Sequence, residues 1–138
     1  MEHILKVEVS YKFSPQEIAD LMVTALEGGI NYWCGKARMM VSSQSSKDLF
    51  PRFEGVLACD DNNVLCASDV IAYGGKLVLR DIEDPTEVWV LDSEKMLKGI
   101  GMYCSENNIS PSELMDDYDA DTADAIVQYG LFNELVYC

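Results

Sequence analysis

An α+β domain, with a mainly antiparallel sheet and three to four helices packed on it, is what this 138-residue sequence predicts. Three observations carry the expectation. An alternating apolar run opens the chain, two pairs of short apolar runs flank turn-forming residues as hairpins do, and several helical stripes begin at explicit capping residues. With 49% apolar and 25% charged residues the composition is that of a folded globule, and the length suits one domain, 1–138.

Leu5, Val7, Val9, Tyr11 and Phe13 alternate with polar residues, the period of a strand with one buried face. Ser14-Pro15-Gln16-Glu17 then forms a capping box with proline at the first helical position, and Ile18, Leu21, Met22, Ala25 and Leu26 trace one helical stripe. Gly28 and Gly29 are expected to close this helix through the left-handed conformation. Tyr32 and Trp33 follow directly, ahead of a strand over Lys36 to Ser42. Their position admits two roles, covering the open end of the core with a wet polar edge or anchoring a partner at the rim.

The serine-rich stretch Ser42 to Pro51 is a loop, and Asp60-Asp61-Asn62-Asn63 within Phe53 to Cys66 marks a hairpin. Ser68 or Asp69 caps a short helical turn ending at Gly74-Gly75. Leu77 and Leu79, then Val88 and Val90, flank Glu83-Asp84-Pro85 as a second hairpin carrying Trp89. Asp92 caps a helix with Met96, Leu97, Ile100, Tyr103 and Cys104 on its stripe. Its two glycines, Gly99 and Gly101, each cost about 1 kcal/mol relative to alanine, which close packing would justify. Ser110-Pro111-Ser112-Glu113 opens a short helix holding Leu114 and Met115. After Asp121-Thr122 another helix turns Ala123, Ile126, Val127 and Leu131 inward, and Glu134 to Tyr137 is expected to form a terminal strand.

Five cysteines at irregular spacings, with no C-x-x-C and one histidine, His3, make a zinc site unexpected. No basic leader or membrane-length apolar run is present, so a cytoplasmic protein with reduced, buried thiols is expected. No nucleophile elbow, P-loop or dinucleotide fingerprint occurs, and no carboxylate pair stands out among so many acids. Neither catalytic residues nor a cofactor are expected. Asp117, Asp119 and Asp121 have the 1, 3, 5 spacing of a calcium loop, but Thr122 stands where the turn needs glycine and Gln128 where a bidentate carboxylate is needed, so no metal is expected either.

Charge is the strongest functional signal. Twenty-four acids against ten bases give a net charge of −14, which disfavours direct binding to a phosphate backbone and favours a basic protein surface. All ten bases precede Gly99. The remainder carries Glu106, Glu113, Asp116, Asp117, Asp119, Asp121, Asp124 and Glu134 with no Lys or Arg. Some of these acids suit the start of a helix, where the dipole favours each by several tenths of a kcal/mol. The asymmetry asks for more. Carboxylates spaced on a rigid scaffold can replace phosphates in an Arg-rich groove, which is nucleic-acid mimicry. The expected partner-binding residues are Glu113, Asp116, Asp117, Asp119, Asp121 and Asp124, with Tyr32, Trp33 and Tyr118 as aromatic anchors.

The segments over 21–34, 67–81 and 121–137 resemble small acidic proteins encoded by bacteriophages and mobile elements. The resemblance implies no active site. It implies a context in which short acidic proteins block host defence, among them anti-CRISPR proteins that occupy the DNA-binding or PAM-reading surface of an RNA-guided nuclease. The expected function is therefore a non-enzymatic inhibitor in the host cytoplasm whose partner is a basic nucleic-acid-binding protein such as a CRISPR effector nuclease. Two alternatives stay open: a nucleotide sponge or sensor with its pocket at Gly28, Gly29, Tyr32 and Trp33, and a homo-oligomeric phage structural or assembly protein.

Overall fold

A computed structural model describes residues 10–39, 67–72 and 74–138. The loop over 42–51, the hairpin over 53–66, His3, Cys59, Cys66 and most of the expected first strand lie outside the described residues. Ser10 to Phe13, the end of that strand, is irregular rather than extended in a sheet.

Helix α1 (Pro15–Thr24) starts as its capping box dictates: the Ser14 hydroxyl accepts from the Glu17 amide at 3.1 Å, and the Glu17 carboxylate accepts from the Ser14 amide at 2.9 Å. Its end departs from expectation. Ala25–Gly29 continues as a π-helical turn, and neither Gly28 nor Gly29 has a positive φ. Glycine is required there for space: a Cβ on Gly29 would stand 2.8 Å from the Ala120 carbonyl oxygen.

Strand β1 (Cys34–Met39) follows, then α2 (Ala67–Ala72), whose exit uses Gly74 at φ +90°. Ser68 and Asp69 thus lie inside this helix rather than capping it. Strands β2 (Leu77–Asp81) and β3 (Val88–Leu91) form the expected hairpin, and the sheet order β1-β2-β3 is antiparallel throughout. Leu79 stands opposite Ala37 on one side and Trp89 on the other, and Leu77 opposite Leu91, so this face closes the core. A register shift between Cys34 and Lys36 lets Cys34 and Ala37 both turn inward while Lys36 and Arg38 turn out.

Three further helices complete the α+β fold among the described residues. Helix α3 (Ser93–Asn107) is capped by Asp92, whose carboxylate accepts from the Lys95 amide at 2.9 Å; α4 (Pro111–Asp116) is capped by Ser110. Helix α5 (Ala120–Phe132) begins ahead of Asp121-Thr122, earlier than expected, because Asp119 is its cap, accepting from the Thr122 amide at 2.9 Å. Helices α3 and α5 end on Asn108 and Asn133 in the left-handed conformation.

Helices α3 and α5 cross at backbone contact distance. A Cβ on Gly99 would fall 2.0 Å from the Ile126 carbonyl oxygen, and one on Gly130 would fall 2.4 Å from that of Lys95. Gly101 differs: nothing lies within 4 Å of its missing Cβ, so close packing explains only one of the two glycines in α3. Leu97 likewise leaves the expected stripe and is exposed, since Met96 and Ile100 fill the side facing α5. Cys34 and Cys104 are buried as small apolar groups, whereas Cys138 is exposed. Among the described residues no helix is long and apolar enough to cross a membrane.

The two glycines of α3 therefore predict opposite outcomes in urea unfolding. Gly99→Ala is expected to lose about 3 kcal/mol or more through overpacking against a backbone that has no room to retreat. Gly101→Ala is expected to gain about 1 kcal/mol from helix propensity.

Candidate functional site

The buried end of the α1–β1 connection explains why two aromatics follow the glycines. Trp33 is 1% exposed and stacks on Tyr137, with ring centroids 4.9 Å apart and planes 3° from parallel; Trp89 and Phe132 meet it edge-on. Its indole edge is dry, not wet: Nε1 donates to Asp124 Oδ1 at 2.8 Å. Asp124, 8% exposed, also accepts from the Tyr32 hydroxyl and from Gln128 Nε2 at 2.8 Å. Three neutral donors satisfy a carboxylate that has left water.

Gln128 extends the network to the end of the chain. It is fully buried, and its Oε1 accepts from the amides of Val136 and Tyr137 at 2.8 Å each. The segment from Glu134 to Tyr137 is accordingly no strand; a side chain of α5 replaces the sheet partner. Tyr137 then donates to Asp81 Oδ2 at 2.9 Å, tying the tail to the β2–β3 turn. Two expected contact residues are thereby corrected: Trp33 is internal, and Asp124 is buried, showing only a small edge to the groove beside Tyr32. Of the four residues expected to line a ligand pocket, Gly29 abuts Ala120 and Trp33 is internal, whereas Gly28 is exposed and Tyr32 lines an open groove together with Asp124 and Gln128.

The remaining acids do face solvent. Glu113, Asp116, Asp117, Asp119 and Asp121 are exposed on α4, on its short joint to α5 and on the first turn of α5. Tyr118 is half-buried in that joint, pressed toward α1, where Thr24 and the charge of Asp20 border its hydroxyl. The field of Asp116 reaches Tyr11, which donates to Glu17 at 3.1 Å. Asp116 thus acts on Tyr11 beside α1 and Asp20 of α1 acts on Tyr118, so the fold brings these two acidic segments near each other although they are far apart in the chain.

Asp121 shares a groove of about 410 Å³ with Tyr32 and Leu135. Tyr32 is 46% and Leu135 54% exposed, and Val136 next to it is also exposed, so an apolar patch adjoins the carboxylates. The sequence alone assigned Leu135 and Val136 to a strand. Their signal is visible only once the Gln128 bonds hold the tail against α5. Among the described residues no three His, Cys, Asp or Glu side chains are placed to hold a metal ion. Compared with protein families, curated proteins and solved structures, the chain finds no match in any of the three.

Burial and the bond to Asp124 push the Tyr32 phenol up to about 12, and burial and the bond to Asp81 do the same for Tyr137. Folding therefore favours the neutral phenols, and the stability they add is complete below pH 10 and lost as the pH rises through about 12. An ultraviolet phenolate titration should show two late-ionising tyrosines, one removed by Tyr32→Phe and the other by Tyr137→Phe. Backbone amides act oppositely on three carboxyls: Asp84 on Asp81, Thr122 on Asp119 and Ser14 on Glu17 hold each below its ordinary range. Their contribution is present above about pH 4 and fades as the pH falls below it, which acid unfolding followed by circular dichroism should register.

Asp124→Ala should destabilise the fold by about 3 kcal/mol, because the indole N–H of Trp33 and the amide of Gln128 lose their buried acceptor. Hydrogen exchange at the Val136 and Tyr137 amides should rise in Gln128→Leu, which keeps the volume and deletes the acceptor.

Proposed function

We propose that this chain is a non-enzymatic inhibitor that occupies the basic nucleic-acid-binding surface of a host effector nuclease as a DNA mimic, with an anti-CRISPR role as its concrete form. The observation that carries the reading is the exposed ridge of Glu113, Asp116, Asp117, Asp119 and Asp121 in a chain segment without Lys or Arg. Carboxylates crowded without cations repel one another in the free protein, and guanidinium groups of a partner relieve that repulsion on docking. Rigidity favours the same reading. Asp119 is fixed as a helix cap and the joint is anchored by half-buried Tyr118, so the carboxylates meet a partner with little ordering left to do.

The apolar patch of Tyr32, Leu135 and Val136 supplies what charge alone lacks. Acidic rims steer encounter and set the on-rate, whereas tight residence needs desolvated anchors near the centre. Tyr32 is suited to this because its hydroxyl is already held by Asp124, leaving the ring fixed and half-exposed. Trp33 and Asp124 act from beneath by holding Tyr32 in place.

Inhibition of target-DNA binding by purified RNA-guided nucleases tests the proposal. The triple variant Asp116→Asn, Asp117→Asn, Asp121→Asn spares the Asp119 cap and should bind at least about tenfold more weakly, with a shallower salt dependence. Unchanged affinity and salt slope in this variant would refute the mechanism.

A further inference from the structure

The sheet face turned away from the core carries the opposite charge, in a protein whose net charge is −14. Lys36 and Arg38, two apart on β1, project outward together, and Arg80 on β2 stands directly opposite Lys36 in the ladder. Ten bases, less Lys6, Lys47 and Arg52, leave seven among the described residues, and three of these seven meet here. Like charges facing each other across a ladder oppose pairing, in a chain with acids to spare for the position. Neither Lys36 nor Arg38 has a side-chain hydrogen bond or ion pair among the described residues, whereas Lys95 and Lys98 each donate to a protein oxygen.

These cations line a groove of about 550 Å³ walled by Ile82 and Pro85. That volume suits a small ligand. Arg80 is partly fixed by donating from Nη1 to the Pro85 carbonyl at 3.0 Å, which leaves its other N–H groups free for a fork of bonds. Asp81 is the acid on the groove, and its carboxylate is already engaged by the Glu83 and Asp84 amides and by Tyr137. None of the acids of the helical ridge lines the groove, and screening over about 8 Å at physiological salt weakens their repulsion of an anion held in direct contact.

We infer that this groove binds a small phosphate ester, its phosphates held by Lys36, Arg38 and Arg80 and its apolar or planar body laid on Ile82 and Pro85. The charge explains the phosphate, since a planar guanidinium and an ammonium on adjacent strands match several anionic oxygens at once. The wall explains the body, because Ile82 is half-exposed at the groove and gains by being covered. The site is independent of the inhibitor reading and shares no residue with its acidic ridge.

Titration calorimetry with adenosine 5′-diphosphate, inorganic pyrophosphate and adenosine tests the inference on the whole chain. Adenosine diphosphate should bind, pyrophosphate more weakly, and adenosine not at all. Lys36→Gln and Arg38→Gln leave the hairpin bond of Arg80 intact; each should weaken adenosine diphosphate binding severalfold and together at least tenfold, with the circular-dichroism spectrum unchanged and the unfolding midpoint no lower. Equal binding of adenosine and its diphosphate, or undiminished binding by the folded double variant, would overturn it. So would concentration-dependent self-association that the double variant abolishes while adenosine diphosphate has no effect, since a second copy would then be the groove's occupant.

Discussion

A carboxylate taken out of water without a cation beside it must find neutral donors, and in this chain that requirement organises the fold. Asp124 collects the Tyr32 hydroxyl, the Trp33 indole and the Gln128 amide, groups drawn from the α1–β1 connection and from α5. Gln128 passes the constraint on to Val136 and Tyr137, and Tyr137 passes it to Asp81 in the hairpin. A fully satisfied polar network of this kind fixes one arrangement of its elements, because every alternative strands a buried donor or acceptor. No buried side-chain nitrogen or oxygen among the described residues is left without a partner.

Packing and polarity cooperate around that network. The aromatic layer of Trp33, Trp89, Phe132 and Tyr137 covers one end of the core, and the glycine-mediated crossing of α3 on α5 sets how deeply α5 can sink toward the sheet. Only with α5 at this depth do Asp124 and Gln128 reach their partners. The consequence appears at the surface: the helix whose inner face holds the network presents Asp121 outward from its first turn, and the tail it captures presents Leu135 beside Tyr32. Core geometry and the candidate interface are thus two sides of one helix.

What was legible in the sequence was what local chemistry decides. Ser14 with Glu17, Asp92 and Ser110 announce helix starts through bonds spanning three residues, and Glu83-Asp84-Pro85 announces a hairpin turn. The acidic ridge was legible too, because exposure is the default for Asp and Glu. What failed depends on partners far away in the chain. Asp124 lies in an acidic run and reads as one more surface charge; only donors 91 and 92 residues earlier draw it inside. Gly28 and Gly29 read as a helix stop, yet Gly29 is demanded by the Ala120 backbone of another helix. Glu134 to Tyr137 has the pattern of a strand but satisfies two of its amides on a glutamine, a choice no periodicity reveals.

The parallel stack of Trp33 on Tyr137 joins positions separated by 104 residues, and the two aromatics between them that touch the indole, Trp89 and Phe132, meet it edge-on. During synthesis, which adds roughly 5–20 residues per second, the indole and its neighbour Trp89 wait uncovered until the chain through Tyr137 has cleared the ribosome. Such a long-range closure cannot form before the end of the chain is made, and non-local contacts of this kind slow folding. For that interval the most aromatic surface of a nascent copy lies open, the kind of exposure that favours aggregation in a crowded cell.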